Sequence, residues 1–370
     1  MNAADFCLPD STYLLNHSVG RPLKTAEDVF GDAYLRPWQT SGREPWAQWL
    51  PIIESFTQAL AKLFHGRAQD FCPQTNLSSG LTKLLMALPQ LQRRPVILMA
   101  EIDFPSMGFV MQHALSKDAE IRFLPKTLDV TCIDHWNNYL TRDVDLAFIS
   151  HAYSNTGQLA PINELVPLAR SRQILTVIDV AQSAGVVPVD LTQLDPDFLL
   201  GSSVKWLCGG PGAAYLWVNP RHIDACQPRD VGWFSHENPF EFDIHHFQPQ
   251  PTALKFWGGT PSIAPYALAA HSIDYFARQT PDALRTHNQA LIAQVAGRLE
   301  KVFASPQTQS QRSGTMILDF KSSNAEVLAQ LETAGVCVDQ REKGLRVSPH
   351  IYNDAEDMEL LVTQVLPYCQ

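Results

Sequence analysis

The chain contains no Cys-x-x-Cys pair. Its seven cysteines (Cys7, Cys72, Cys132, Cys208, Cys226, Cys337 and Cys369) are odd in number and widely spaced. Neither a zinc knuckle nor a disulfide framework is indicated, and a reducing cytoplasm is the expected compartment. No apolar run approaches the ~20 residues that span a bilayer. The opening MNAADFCLPDSTYLL has neither a basic n-region nor a long apolar core, so no signal peptide and no membrane partner are expected. Basic clusters are also missing. With 28 Lys and Arg against 38 Asp and Glu the net charge is −10, which argues against a nucleic-acid partner. The turn EIDFPSMG after the first strand-like run lacks Gly-x-Gly-x-x-Gly, which argues against a nicotinamide-binding Rossmann unit. His245-His246 lacks a metal-ligand spacing, so no metal is expected.

What is present points to an α/β fold. A chain of 370 residues buries a large core and is expected to hold more than one domain. Residues 1–45 read as an arm rich in Pro, Gly and Trp that packs on the small domain or a partner subunit. Residues 46–280 read as a large domain and 281–370 as a small α+β one. A helix is expected over Trp46–Phe64. From Arg94 strand-like and helical runs alternate: 95–100, 106–116, 121–124, 133–140, 144–150, 162–172 and 174–178. This order predicts a mostly parallel sheet covered by helices. Strands at 198–204 and 213–218 follow, joined by a Gly-Pro turn. In such sheets ligands sit beyond the carboxyl ends of the strands. Asp179, the Glu101–Phe104 turn and His151 lie at such ends.

The most informative segment is TVIDVAQSAGVVPVDLTQLDPDFLLGSSVKWLCGGPGAAYLWV, from Thr176 to Val218. An acid, Asp179, ends one apolar run, and Lys205 follows 26 residues later, just before Gly-Gly-Pro-Gly. This segment resembles the cofactor core of pyridoxal 5'-phosphate (PLP) enzymes of fold type I, in the class V aminotransferase family. The resemblance runs from YLLNHSVGRPL to LRVSPHIYNDAEDMELL. AEIDFPSMGF and VGWFSHENPFEFD are similar to kynureninase. The closing segment is similar to isopenicillin-N-epimerase-like, selenocysteine-lyase-like and cysteine-desulfurase-like members.

The resemblance implies a set of roles. Lys205 forms the Schiff base, which requires an amine made near-neutral by desolvation. Asp179 pairs with the pyridine nitrogen and keeps the ring an electron sink. Gln182 donates to the phenolic oxygen. Phosphate is expected at Ser78 and Ser79, in the Ser-Ser-Gly before a helical run, and at Ser203. Phe104 stacks on the ring, and Asn155 in SHAYSNTGQLAPI touches cofactor or substrate. Trp233 lies near the phosphate, and Thr260 in Gly-Thr-Pro reaches it from the other subunit of a homodimer. Arg346 clamps the carboxylate of a small amino-acid substrate through its bidentate fork, with His17 beside it.

Two departures from kynureninase stand out: Val204 replaces a tyrosine before the lysine, and Gln182 replaces a histidine. The loop 339–344 lacks the desulfurase cysteine, and Cys337 just before it falls in a strand. The reaction stays open between β-side lyase or hydrolase chemistry and transamination. A catalytically silent ligand-binding relative is the non-enzyme alternative.

Overall fold

The computed structural model describes residues 2–280 and 282–369. Its centre is a seven-stranded sheet: β1 Phe71–Gln74, β2 Val96–Ala100, β3 Glu120–Leu124, β4 Leu146–Ser150, β5 Leu175–Asp179, β6 Phe198–Ser202 and β7 Ala214–Val218. The spatial order is β1-β7-β6-β5-β4-β2-β3, and only β7 runs antiparallel to its neighbours. β4 and β7 are buried at every position, as strands covered on both faces must be. One core lies on each face of the sheet. The helix over Trp46–Phe64 forms as its amphipathic pattern dictates, burying Ile52, Ile53, Phe56 and Leu60 against the helix Ala264–Ala277. β1 is the strand the sequence does not announce. Its Pro73 removes one ladder donor, which a sheet edge tolerates.

Residues 283–369 build a second layer around Leu291, Ile292, Met316, Val327, Leu345, Met358 and Leu361. Its sheet comprises β8 Met316–Leu318, β9 Asp339–Arg341 and β10 Gly344–Val347, antiparallel in the order β9-β10-β8. The 339–344 segment, expected as a loop, is therefore half of a hairpin, in which Asp339 stands opposite Arg346. The early arm joins this layer. Thr12–Tyr13 pairs in parallel with Val336–Cys337, and Leu14 enters the same core. From there the arm crosses toward the large sheet, where Gly20 N donates to Val204 O at 2.8 Å. The contact requires glycine: a Cβ on Gly20 would stand 2.1 Å from the Lys205 carbonyl oxygen.

Candidate active site

The carboxyl ends of β2, β4, β5 and β6 open on a cavity of about 280 Å³ lined by Ser78, Phe104, Tyr153, Asp179, Gln182 and Lys205 among others. The turns after these strands aim different chemistry into one space. Lys205 has no hydrogen-bond or ion-pair partner among the described residues. Burial pushes its amine down, the Asp179 carboxylate opposes that, and Arg346 adds to the lowering. Asp179 is buried, and burial pushes its carboxyl up against the bond from Ala181 N and the charge of Lys205. Its Oδ1 accepts from Ala181 N at 2.8 Å. An acid held this way gains most from a cationic partner. Gln182 Nε2 donates to His17 O at 3.0 Å, while its Oε1 is buried with no partner.

At the other end of the cavity lies the start of the helix Leu77–Ala87. Asn76 caps it, its side chain accepting from Ser79 N at 2.8 Å. The first-turn N–H groups of a helix have no intrahelical acceptor and favour an anion, and Thr75 to Ser78 line the cavity. Ser79 does not line it, and its N–H is spent on the cap. Ser203 is also elsewhere. It is fully buried and donates its hydroxyl to the carbonyls of Gly210 and Ala213 at 3.2 and 3.0 Å. Strand alternation turns Ser202 to the cavity instead. Phe104 lines the mouth and is 57% exposed, an unusual state for an aromatic with no ring stacked on it among the described residues.

Asn155 lies outside the lining. The turn places the preceding Ser154 there, because Tyr153 N bonds Gln158 O and carries 155 past the opening. Trp233 and Thr260 are also outside it. They hold each other, Trp233 Nε1 donating to Thr260 Oγ1 at 3.2 Å. Both belong to an aromatic lobe with Phe234, Phe240 and Phe242, from which Phe242 projects 77% exposed.

Arg346 is buried beside the cavity, and its fork is already taken. Nε donates to Asp339 Oδ1 at 2.8 Å and Nη2 to Oδ2, which leaves Nη1. His17 is fully committed too. Its Nε2 donates to Asp339 at 2.9 Å and its Nδ1 accepts from Ser348 Oγ at 2.7 Å. Burial pushes His17 down, so it is neutral. Burial pushes Asp339 up, and the bonds from His17 and Arg346 overcome that and hold its carboxyl well below the usual range.

Sequence reasoning passed over Tyr153, Asp103 and Ser154. The Tyr153 hydroxyl is buried without a partner. Asp103 is pushed up to about 7, chiefly by burial, with the nearby Asp179 charge adding to it. Their signal in the sequence was only their place at the ends of β2 and β4. Among the described residues His236, Glu241 and His246 have metal-compatible spacing. His236, however, spends Nδ1 accepting from Asn238 N and Nε2 donating to His246 O.

The donor set fits a PLP-type group. A lone desolvated amine, a buried acid in need of a cation, an orphaned amide oxygen and hydroxyl, and an anion-binding helix start all face one space.

The aminotransferase class-V family model matches residues 52–361. The kynureninase of Deinococcus radiodurans is 29% identical over 357 residues, covering 91% of this chain and 85% of that protein. The kynureninase of Burkholderia mallei is 28% identical, covering 85% and 76%. Among solved structures, a C-DES mutant with glycine covalently linked to its PLP cofactor superposes with a TM-score of 0.89 at 19% identity, covering 99% of both chains. The apo cysteine desulfurase of Thermococcus onnurineus NA1 superposes with a TM-score of 0.85 at 19% identity, covering 96% and 94%. At those identities the structural likeness speaks for the fold.

Proposed function

Because the chain belongs to the class V aminotransferase family and is a PLP-dependent enzyme, we propose that it cleaves a small α-amino acid on the β-carbon side. The observation that carries this reading is the convergence of Lys205, Asp179 and Gln182 on one cavity with a helix start opposite. The names of the sequence relatives, kynureninases, support the reaction type.

The bound cofactor supplies an electron sink for the substrate α-carbon. Each residue then has a defined task. Lys205 holds the cofactor and afterwards, with its amine partly desolvated, takes and returns the α-proton. Asp179 keeps a proton on the ring nitrogen. Gln182 stands by the phenolic oxygen. The N–H groups at 77–78 and the Ser78 hydroxyl receive the phosphate, and Phe104 covers the ring. Ser154 takes the place expected of Asn155. Arg346 offers the substrate carboxylate its Nη1, the rest of its fork being fixed by Asp339.

Among the described residues no cysteine lines the cavity, so a departing sulfur or carbon fragment leaves without being captured there. A second copy of the chain would carry its Trp233–Thr260 pair to this copy's phosphate end, which accounts for an exposed aromatic lobe that does not reach its own cavity. The seven cysteines, all free, support a cytoplasmic setting.

The test is a single turnover with a panel of amino acids that includes kynurenine and cysteine derivatives. Release of alanine, pyruvate or a thiol fragment, with return of the starting absorption spectrum, is expected. Accumulation of the pyridoxamine form with a keto acid would refute β-side cleavage. Lys205→Ala is expected to abolish the visible band of the bound cofactor.

A further inference from the structure

Asp103 is a buried acid to which the proposed reaction gives no task. It sits in the turn after β2, one position before Phe104, and is 8% exposed. Its Oδ2 accepts from Ala100 N at 2.8 Å, while Oδ1 is buried without a hydrogen bond. Among the described residues no lysine, arginine or histidine is ion-paired with it. A buried carboxylate with a bare oxygen is costly, and a proton on that oxygen removes the charge.

The groups around Asp103 belong to the cofactor cavity. The parallel register of β4 and β5 sets Ser150 opposite Asp179. Ser150 lines the cavity, and its hydroxyl and N–H also act on the Asp103 carboxyl, partly offsetting the burial that raises it. Tyr153, from the turn after β4, feels the charges of both Asp103 and Asp179. Asp179 in turn raises Asp103 further. Lys205 acts on Asp179 without pairing with it. Glu101, on the same turn as Asp103, is exposed and accepts from Lys126 N. His113, the one titratable residue of the helix Pro105–Ala114, is exposed in its last turn. Two acids thus share a buried corner, and neither has an ion-pair partner among the described residues.

Asp103 responds to the charge that stands at Asp179. A negative charge there raises it, so a positive charge brought to Asp179 lowers it. We propose that Asp103 is a positioning residue for the cofactor ring, a second acid that holds a proton in the apo protein and releases it when a cationic ring nitrogen pairs with Asp179. The Asp103 O–H bond breaks and the proton passes to solvent, so a second negative charge appears as the positive one arrives. By linkage, the Asp103 carboxylate strengthens the hold on a protonated ring by the same factor. Two carboxylates then keep the ring in its electron-accepting form. The inference rests on the cofactor assignment and not on which reaction the enzyme catalyses.

The experiment titrates the apo protein with pyridoxal 5'-phosphate at pH 6 and pH 8, following the cofactor absorption, for the wild type and Asp103→Asn. The amide keeps an acceptor for Ala100 N and removes the titrating proton. The two dissociation constants are expected to agree at pH 6, where Asp103 is mostly neutral. At pH 8 the variant is expected to bind about fivefold more weakly, the size of an ordinary coupling between sites. An analogue with C–H in place of the ring nitrogen brings no cation, and with it the two proteins should agree at both pH values. The wild type alone gives a second reading. Infrared difference spectra near neutral pH should show a buried protonated carboxyl that weakens when pyridoxal 5'-phosphate binds and persists with the analogue. Equal affinities at pH 8 would overturn the inference. So would equal weakening at both pH values, which marks a structural role, or a carboxyl signal that cofactor binding leaves unchanged. Binding of pyridoxal 5'-phosphate to both proteins at pH 6 checks the cofactor assignment separately.

Discussion

Replacing Asp339 by Asn tests the link between the small layer and the cofactor cavity. The carboxylate serves two buried partners at once, the Arg346 fork and His17 Nε2. An amide keeps the shape and removes the charge, leaving the Arg346 guanidinium with 6% side-chain exposure and no counter-ion. Removing one member of a buried pair costs about 3–5 kcal/mol. Asp339 itself is 28% exposed, which places the expectation near ~3 kcal/mol. At the unfolding entropy of a 370-residue chain this corresponds to a melting drop of about 4 °C. The pH dependence gives the sign. Asp339 is held below its unfolded value, so its contribution is complete above about pH 5 and disappears as pH falls through the folded-state titration. Urea unfolding followed by circular dichroism at pH 7.5, 5 and 3.5 reads both effects. The wild type should exceed Asp339→Asn by a constant margin at the two higher values, and the margin should shrink at pH 3.5. Equal stability at pH 7.5, or a margin that grows in acid, would refute the reasoning.

Other expectations follow from the same geometry. Gly20→Ala puts a methyl 2.1 Å from Lys205 O and 2.6 Å from Cys208 Sγ. Overpacking against backbone should cost about 3 kcal/mol and weaken cofactor retention, both measurable by melting and by the cofactor absorption. Tyr153→Phe deletes a buried hydroxyl with no partner, so the apo protein should melt at the same temperature or higher. A lower melting temperature would mean that the hydroxyl is bonded in the apo protein. Asp103 is pushed up to about 7 by burial foremost. The folded apo protein therefore loses stability as pH rises from about 4 through 7, and Asp103→Asn should flatten that slope in a pH series of unfolding curves.

The sheet was legible because its strands are short β-branched or apolar runs between helical patterns, and β2, β4, β5, β6 and β7 lie within one or two residues of those runs. β1 was not legible, since Cys72-Pro73 reads as a break until an edge position excuses the proline. Within the cavity the sequence located segments better than side chains. Ser203 and Asn155 are each one residue from the side chain that lines the cavity, Ser202 and Ser154. A strand or turn that slips by one position exchanges inside for outside, and composition says nothing about that parity. Asp339 had no local signal at all, because its partners are seven and 322 residues away. His151 was placed at the right strand end, but it lines a second cavity of about 740 Å³ and not the one that Lys205 lines.

The arm that lies against Val204 and His17's partners has a consequence for synthesis. Its bonds run to residues more than 300 positions later: Asn16 to Ser348, His17 to Ser348 and Asp339, Arg21 to Tyr352. These early residues leave the ribosome long before the strands that receive them. At five to twenty residues per second they wait on the order of tens of seconds. During that interval the large sheet can close around Lys205 and Asp179, while the clasp over Gln182 is missing. Assembly of the proposed pocket is thus timed by residues 339–352, and a nascent chain that already carries Lys205, Asp179 and Gln182 still lacks the partners that hold the arm against them.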